Sequence, residues 1–365
     1  MNAVQFLDSD ELELPKSRNA RSDTFDIYLR HVFDTYLGLL KSLDDSDYIS
    51  HQLKTFYQLA ETLCSDVQEI IKEQFNGYPA KAYDKLKDAL IKIEPHIKVL
   101  LSSPDVSGQM SHLYRIRTGG SNPLSRKEIF HIPFELRHLV NTQRYSIPGL
   151  PCLYLGGSTY VCWEELGRPH LDTIHLARFK VADGIPVRVL DFGYRPAEVA
   201  AYMNHEIDNV KVDNDKSKFI IAQGICWPLI AACSVQVKYK DAPFKPEYVL
   251  PQLILQWITN STDCDGVRYF STKIGQYFSY PMPAANFAFP SRTVAATGYC
   301  KKLTSQFELS EPLYWQLAKN SGLPAVHPPF MHFKLNLAEG AEVDYIGTEF
   351  GMMQFILSAL PCKTI

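Results

Sequence analysis

Three side chains able to share one piece of chemistry stand close together in mid-chain: Arg144, Tyr154 and Glu165, ten and eleven residues apart in the segment QRYSIPGLPCLYLGGSTYVCWEE. A Pro148-Gly149 turn follows the arginine. The apolar run Cys152 to Leu155 predicts a short strand, and Gly156-Gly157-Ser158 predicts a hinge into a helix. A guanidinium forks phosphate oxygens and stays charged at any working pH. A tyrosine ring stacks on a planar base while its hydroxyl finds a polar partner. Glycines beside it let a ligand approach the backbone. A carboxylate stabilises positive charge developing on a sugar, or holds its hydroxyls. The set suits a phosphorylated, ring-bearing, positively charged ligand, of which NAD+ is the obvious example.

Glu165 lies two turns beyond Ser158, a good N-cap type, and three and four residues beyond Cys162 and Val161. That spacing predicts an inward, apolar face for Glu165, and an acid there needs a partner. Glu164 is nearer to Tyr160, is expected to face solvent, and stays the alternative.

Two further blocks flank this one: LYRIR, from Leu113 to Arg117, and DGVRYFST, from Asp265 to Thr272. In their order and spacing the three resemble the signature blocks of the RES domain family, named for an arginine, a glutamate and a serine. The resemblance covers roughly residues 110–295, about half the chain. The family's usual G-R-W-N reads Gln143-Arg144-Tyr145-Ser146 here and keeps the arginine. The resemblance implies an α+β fold with an ADP-ribosyltransferase-like split β-sheet and NAD+ as substrate, with no metal. It implies Glu165, Arg144 and Tyr154 as the catalytic set, and Arg115, Arg144, Tyr154 and Ser271 as the residues that bind NAD+. On the strand, Arg115 and Arg117 share a face, so either could be the second phosphate contact. Ser271 is expected to hydrogen-bond the ligand, because no G-x-S-x-G elbow marks it as a nucleophile.

The implied activity is cleavage of the nicotinamide–ribose bond, by a glycohydrolase or phosphorylase acting as a toxin or anti-phage effector that empties the NAD+ pool. The alternatives are an ADP-ribosyltransferase with a specific protein or nucleotide target, and a catalytically silent module that binds NAD+ or ADP-ribose. A toxin of this kind implies a neutralising or activating protein partner, with room for a homo-oligomer.

Composition sets the bounds. The chain has 365 residues, 46% of them hydrophobic, with net charge −3 and a pI of about 6.4. That balance provides no basic field for nucleic acid or an anionic membrane. The N-terminus lacks a basic-then-apolar signal pattern, and eight cysteines show no C-x-x-C pair or zinc spacing. A reduced, cytoplasmic protein without a structural metal is expected. There is no G-x-G-x-x-G after a strand and no P-loop, which argues against a Rossmann dehydrogenase or an NTPase. His131 and His170 are weaker pocket candidates, expected to be loop histidines without ligand duty.

The elements that must carry these residues follow from periodicity. Residues 1–22 are polar and aperiodic, expected to be flexible. Phe25, Tyr28, Leu29, Val32, Phe33 and Tyr36 predict a helix, and two more are expected over Tyr48–Phe75 and Lys81–Leu101, the latter kinked near Pro95. These make an N-terminal α-helical region, 23–108, for regulation or oligomerisation. Residues 109–365 are expected to form the RES-like domain with a C-terminal extension, a boundary lying in Ser102 to Gly108. Strands are expected at His112–Arg117, Cys152–Leu155, Thr173–Val181, Val187–Phe192, Gly266–Phe270 and Ala285–Phe289, with helices at Ala197–Glu206 and Tyr248–Thr259. The apolar run Phe219 to Val237 approaches the length of a membrane span, but its Gln223, Gly224, Pro228 and Gln236 point to a buried core helix broken near Pro228. The last seventy or so residues, with the Pro328-Pro329 turn, carry no functional signal.

Overall fold

Helical spacing at the N-terminus becomes a series of helices: α1 (Ala3–Leu7), α2 (Phe25–Lys41), α3 (Tyr48–Thr55), α4 (Tyr57–Phe75), α5 (Pro79–Lys92) and α6 (Glu94–Leu100). The computed structural model describes residues 1–18, 24–101, 112–120, 122–205, 213–274, 284–319, 334–338 and 341–365. The expected linker and the Pro328-Pro329 turn lie outside the described residues. Helix α2 buries Phe25, Leu29, Phe33, Tyr36 and Leu40, a stripe at three- and four-residue spacing. The long helix expected over Tyr48–Phe75 is divided at Phe56, whose φ of −88° and ψ of 11° leave the helical region. The next divides at Ile93, just before Pro95 in the first turn of α6.

The first residues depart from expectation. Asn2 caps α1 with a capping box, and Phe6, Leu7, Leu12 and Leu14 are buried, so this segment is part of a core. Four apolar side chains among polar ones escaped a test built on average composition.

The chain forms two compact units. The first joins Met1–Ser103, Gln143–Ser146 and Leu190–Cys264; the second joins Pro104–Thr142, Ile147–Val189 and Asp265–Ile365. The boundary expected near residue 108 thus misses a return of the chain: residues 190–264 cluster with the N-terminal helices. The reason lies in helix α10 (Asp215–Ser234), which follows α7 (Arg126–Ile129), α8 (Thr159–Glu165) and α9 (Pro196–His205) and precedes α11 (Val249–Asn260). Helix α10 is apolar all round and almost wholly buried, so it needs amphipathic partners on every side. Helices α3, α4 and α6 supply them.

Helix α10 is long and apolar enough to cross a membrane, yet it is a core helix, as expected. It is not broken at Pro228. A helical proline leaves the carbonyl four residues earlier without its N–H. That carbonyl belongs to Gly224, and the Tyr36 hydroxyl donates to it at 3.0 Å. The Tyr36 ring stacks on Trp227 at 4.9 Å. A side-chain hydroxyl has replaced the missing backbone donor, and the helix runs on.

The second unit is built on a sheet. Its strands are β1 (Leu113–Thr118), β2 (Cys152–Gly156), β3 (Ile174–Val181), β4 (Val189–Phe192, where the chain passes into the first unit), β5 (Gly266–Phe270), β6 (Ala285–Pro290), β7 (Phe307–Leu309) and β8 (Leu313–Tyr314). Within the unit the order is β5-β6-β2-β1-β3-β7, with β8 also on β3. The pairs are antiparallel, and this mixture of sheet and helices is the expected α+β class. Strands β1 and β3 are in register from Leu113↔Phe179 to Thr118↔Ile174, and β2 and β6 from Cys152↔Pro290 to Gly156↔Asn286. Between β1 and β2, however, the register is the single pair Tyr114↔Gly156. The sheet is split there.

One face of the sheet packs Leu113, Leu153, Leu155, Phe179, Phe287 and Phe289 in a core cluster. The other packs Tyr114, Ile116, Ile174 and Leu176 against Cys162 of α8, Trp315 of α13 (Trp315–Lys319, after α12, Lys301–Gln306) and Met353 of α14 (Glu349–Ala359). The C-terminal extension is thus part of the packing of this unit. Gln354 of α14 accepts the Thr159 N–H at 2.9 Å, meeting one of the unpaired donors at the start of α8.

Candidate functional site

Helix α8 begins where the Gly156-Gly157-Ser158 hinge predicts. Ser158 is its N-cap and accepts the Val161 N–H at 3.2 Å. Gly156 is required by packing: a Cβ there would lie 2.6 Å from the Cys162 sulfur. The helix ends at Glu165. A carboxylate at a helix C-terminus faces the negative end of the dipole and is disfavoured by a few tenths of a kcal/mol or more unless donors hold it (about 0.3–1 kcal/mol).

The donors are present. The Ser271 hydroxyl donates to Glu165 Oε1 at 2.6 Å, and Asn286 Nδ2 donates to the same oxygen at 2.8 Å. Lys273 Nζ stands 3.4 Å from Oε2 and donates to the Glu165 carbonyl at 2.5 Å. Ser271 follows β5 and is tied by its own N–H to the Ala284 carbonyl at 3.0 Å. Its oxygen also accepts the Lys273 N–H at 3.2 Å. Ser271 and Asn286 are buried, whereas the Glu165 side chain is 31% exposed. Oε1 takes both side-chain hydrogen bonds, and Oε2 stands beside the Lys273 cation.

The order of burial within the glutamate pair is the reverse of that expected. Glu164 is the buried one, at 4% exposure. Tyr160 donates to its Oε1 at 2.5 Å and Arg168 Nε to its Oε2 at 2.9 Å. Helical spacing alone put Glu165 inward; a partner pair at i−4 and i+4 drew Glu164 in instead. Both oxygens of Glu164 are engaged within its own turn, and Glu165 is the one that meets Ser271.

Tyr154 sits on β2, on the face it shares with Gly156, which is opposite Asn286 on β6. It is partly buried, and burial holds its hydroxyl well above the ordinary tyrosine range. Arg115 lies at the split. There β1 no longer pairs with β2, and Arg115 Nη1 donates to the Tyr154 carbonyl at 2.8 Å in place of a ladder bond. Among the described residues its Nε is buried without a hydrogen-bond partner. Burial, and then the neighbouring Arg117, pull its ionisation down to about 9. Arg117 instead donates to the Phe130 carbonyl at 2.9 Å. Of the two strand arginines, Arg115 is the one with an unanswered donor next to Tyr154.

Arg144 falls elsewhere. It belongs to the first unit, while Arg115, Tyr154, Glu165 and Ser271 belong to the second. It is buried, with Nη1 donating to the Cys233 carbonyl at 2.8 Å and Nη2 to the Val235 carbonyl at 2.9 Å. Its guanidinium lies 5.3 Å from the centre of the Tyr248 ring. The fork expected to hold a pyrophosphate caps the last carbonyls of α10, groups that a helix leaves unpaired.

His131 is buried and structural: Nδ1 bonds the Ile132 carbonyl at 2.8 Å, and Nε2 accepts the Cys300 N–H at 3.0 Å. His170 is exposed beside Asp172. Neither is part of the cluster around Glu165. Asn286 and Lys273 were missed by sequence reasoning. Lys273 stands two residues past the serine, and Asn286 is a lone amide in the apolar strand AANFAF, which is itself a signal that a partner must exist.

The arrangement offers an oriented carboxylate, an aromatic strand residue and a buried arginine around a split in the sheet. Chemically it can bind a polar, ring-bearing ligand and steady positive charge developing near Glu165.

No protein-family model matches the chain. The putative toxin YopC of Bacillus subtilis (strain 168) is 31% identical over 365 residues, a match that takes in 95% of this chain and 78% of that protein. Among solved structures, the M. tuberculosis MbcT-MbcA toxin-antitoxin complex gives 14% identity over 60% of this chain and 91% of that one, with a TM-score of 0.25, well below the level at which two chains share a fold.

Proposed function

The chain belongs to the family of the putative toxin YopC, and from that premise and the carboxylate at Glu165 we propose that it is a toxin that consumes NAD+ by cleaving the nicotinamide–ribose bond. The observation that carries the reading is the placement of Glu165: an acid at the unfavourable end of a helix, part-exposed, held at one oxygen by Ser271 and Asn286 with the other beside Lys273. Local cost of this kind is retained where a site needs it.

In this reading the bond from ribose C1′ to the pyridinium nitrogen breaks heterolytically. The electron pair goes to the nitrogen, and nicotinamide leaves neutral. Positive charge spreads over C1′ and the ring oxygen, and Oε2 of Glu165 stabilises it. An acceptor oxygen then gives C1′ an electron pair and loses its proton; with water the product is ADP-ribose. Tyr154 stacks on a ring of the ligand, and the charge of the Arg115 guanidinium faces its phosphates. Ser271 holds the carboxylate. Arg144 is not in this set. Because loss of NAD+ harms the cell that makes the protein, a protein partner that restrains it belongs to the proposal.

The test is incubation with NAD+ and chromatography of nicotinamide and its partner product, for the wild type, Glu165→Gln and Glu164→Gln. Glu165→Gln should lower kcat by about a hundredfold or more, the scale of one electrostatic group at a developing charge. Glu164→Gln should keep the rate of the folded protein within about threefold, since its oxygens are engaged by Tyr160 and Arg168. Equal losses in both variants, or no nicotinamide from the wild type, would sink the reading. ADP-ribose found on a protein or nucleotide would identify transfer instead of hydrolysis.

A further inference from the structure

Asn286 has the burial and the bonding of a group kept for one task. It is 5% exposed, the second residue of β6, with Gly156 opposite on β2 and Tyr269 opposite on β5. Its backbone is therefore fixed from both sides. Facing Gly156, it has no side chain to contend with on that strand. The space above is occupied by α8, whose Cys162 sulfur already fills the position a Cβ of Gly156 would take. From there the amide reaches Glu165 at the end of the same helix. The nitrogen must be the atom that faces the carboxylate, since two oxygens at 2.8 Å would repel.

We propose that Asn286 is the positioning residue of this site: with Ser271 it locks Oε1 of Glu165, so that Oε2, beside Lys273, is the oxygen turned to the ligand. This rests on the role given to Glu165 above. A carboxylate with one anchored oxygen can rotate about its terminal torsion, which has a broad, roughly two-fold profile. Two donors converging on Oε1, one from β6 and one from the residue after β5, remove that freedom. Neither comes from the helix that carries Glu165, so the orientation is set from the sheet side. Lys273 cannot do the same work, because its side chain is 50% exposed and its hydrogen bond is to the backbone carbonyl of Glu165.

The experiment compares the wild type with Asn286→Leu, which keeps the forked shape but cannot donate, and Asn286→Asp, which puts a second carboxylate against the first. NAD+ affinity is read by titration calorimetry, turnover by nicotinamide release, and the position of Glu165 from crystal structures. For Asn286→Leu the expected result is a kcat lower by about ten- to a hundredfold with NAD+ affinity held within about threefold. The structure should show Glu165 turned away from Ser271. For Asn286→Asp the acid limb of the rate profile should move up by about one pH unit or more, because adjacent carboxylates share a proton. A group that served only to hold the sheet together would move neither the kcat-to-affinity split nor the acid limb. Wild-type kcat and an unmoved Glu165 in Asn286→Leu would overturn the inference. A wild type that binds NAD+ and releases nothing would remove the cleavage reading, and the Glu165 position in Asn286→Leu would still decide this one.

Discussion

Acid should weaken this protein through His131, by an amount the structure sets. The ring is 1% exposed and uses both nitrogens, one as donor to the Ile132 carbonyl and one as acceptor from the Cys300 N–H. A second ring proton would set N–H against N–H. Burial holds the imidazole down at about 4, against an ordinary value of 6.5. Between those values the unfolded chain binds a proton that the folded one refuses, so stability falls as pH falls. The loss begins near pH 6.5, deepens toward pH 4 and then levels off. At about 1.4 kcal/mol for each pH unit, the whole step is about 3 kcal/mol. The assay is urea unfolding of the wild type and His131→Gln at pH 7 and pH 4, followed by tryptophan fluorescence. Gln keeps a donor and an acceptor but does not titrate. Other histidines held low by burial, the buried His96 and the half-buried His112, contribute equally to both proteins and cancel. The wild type should lose about 3 kcal/mol more than the variant over this range. Parallel losses would show that the ring accepts its proton at no cost, and the reading of its two bonds would be wrong.

Two other outcomes follow from the buried network of the first unit. Tyr36→Phe removes the hydroxyl that meets the Gly224 carbonyl below Pro228. It should cost about 1–3 kcal/mol, the penalty for an unsatisfied buried carbonyl, read as a lower urea midpoint. Arg144→Ala strips two donors from the end of α10. It should destabilise by about 3 kcal/mol or more, charged bonds to carbonyls being worth about 1.5–3 kcal/mol each, while the folded fraction releases nicotinamide at the wild-type rate within about twofold. A hundredfold loss of rate with normal stability would return Arg144 to the site.

The two arginines show what a sequence can and cannot place. Spacing correctly set Tyr154 on a strand, Ser158 at a helix start and Glu165 two turns on, because backbone period and capping are local properties. It also put Ser271 at a strand end, and the structure brings that serine to Glu165 at 2.6 Å. A guanidinium carries no such local mark. Its fork fits two carbonyls at a helix end as well as it fits a phosphate, and which it meets depends on where residues 233–235 return, nearly ninety positions later. The same non-local return explains the displaced domain boundary. Helix α10 reads as apolar in sequence, but only the folded chain shows that its partners are helices more than a hundred residues earlier.

Arg115 makes the complementary case. On the strand it was one of two equivalent arginines, and nothing in LYRIR separates it from Arg117. What separates them is the split: Arg117 bonds the Phe130 carbonyl, while Arg115 stands where β1 leaves β2 and answers the Tyr154 carbonyl. An opening in a sheet must leave backbone groups to be met by something else. A side chain that meets one of them and still has a buried donor unpaired is a better ligand contact than one already satisfied. Arg115 and Asn286, the polar residues that the proposal adds to Tyr154 and Glu165, stand in strands that otherwise bury apolar side chains.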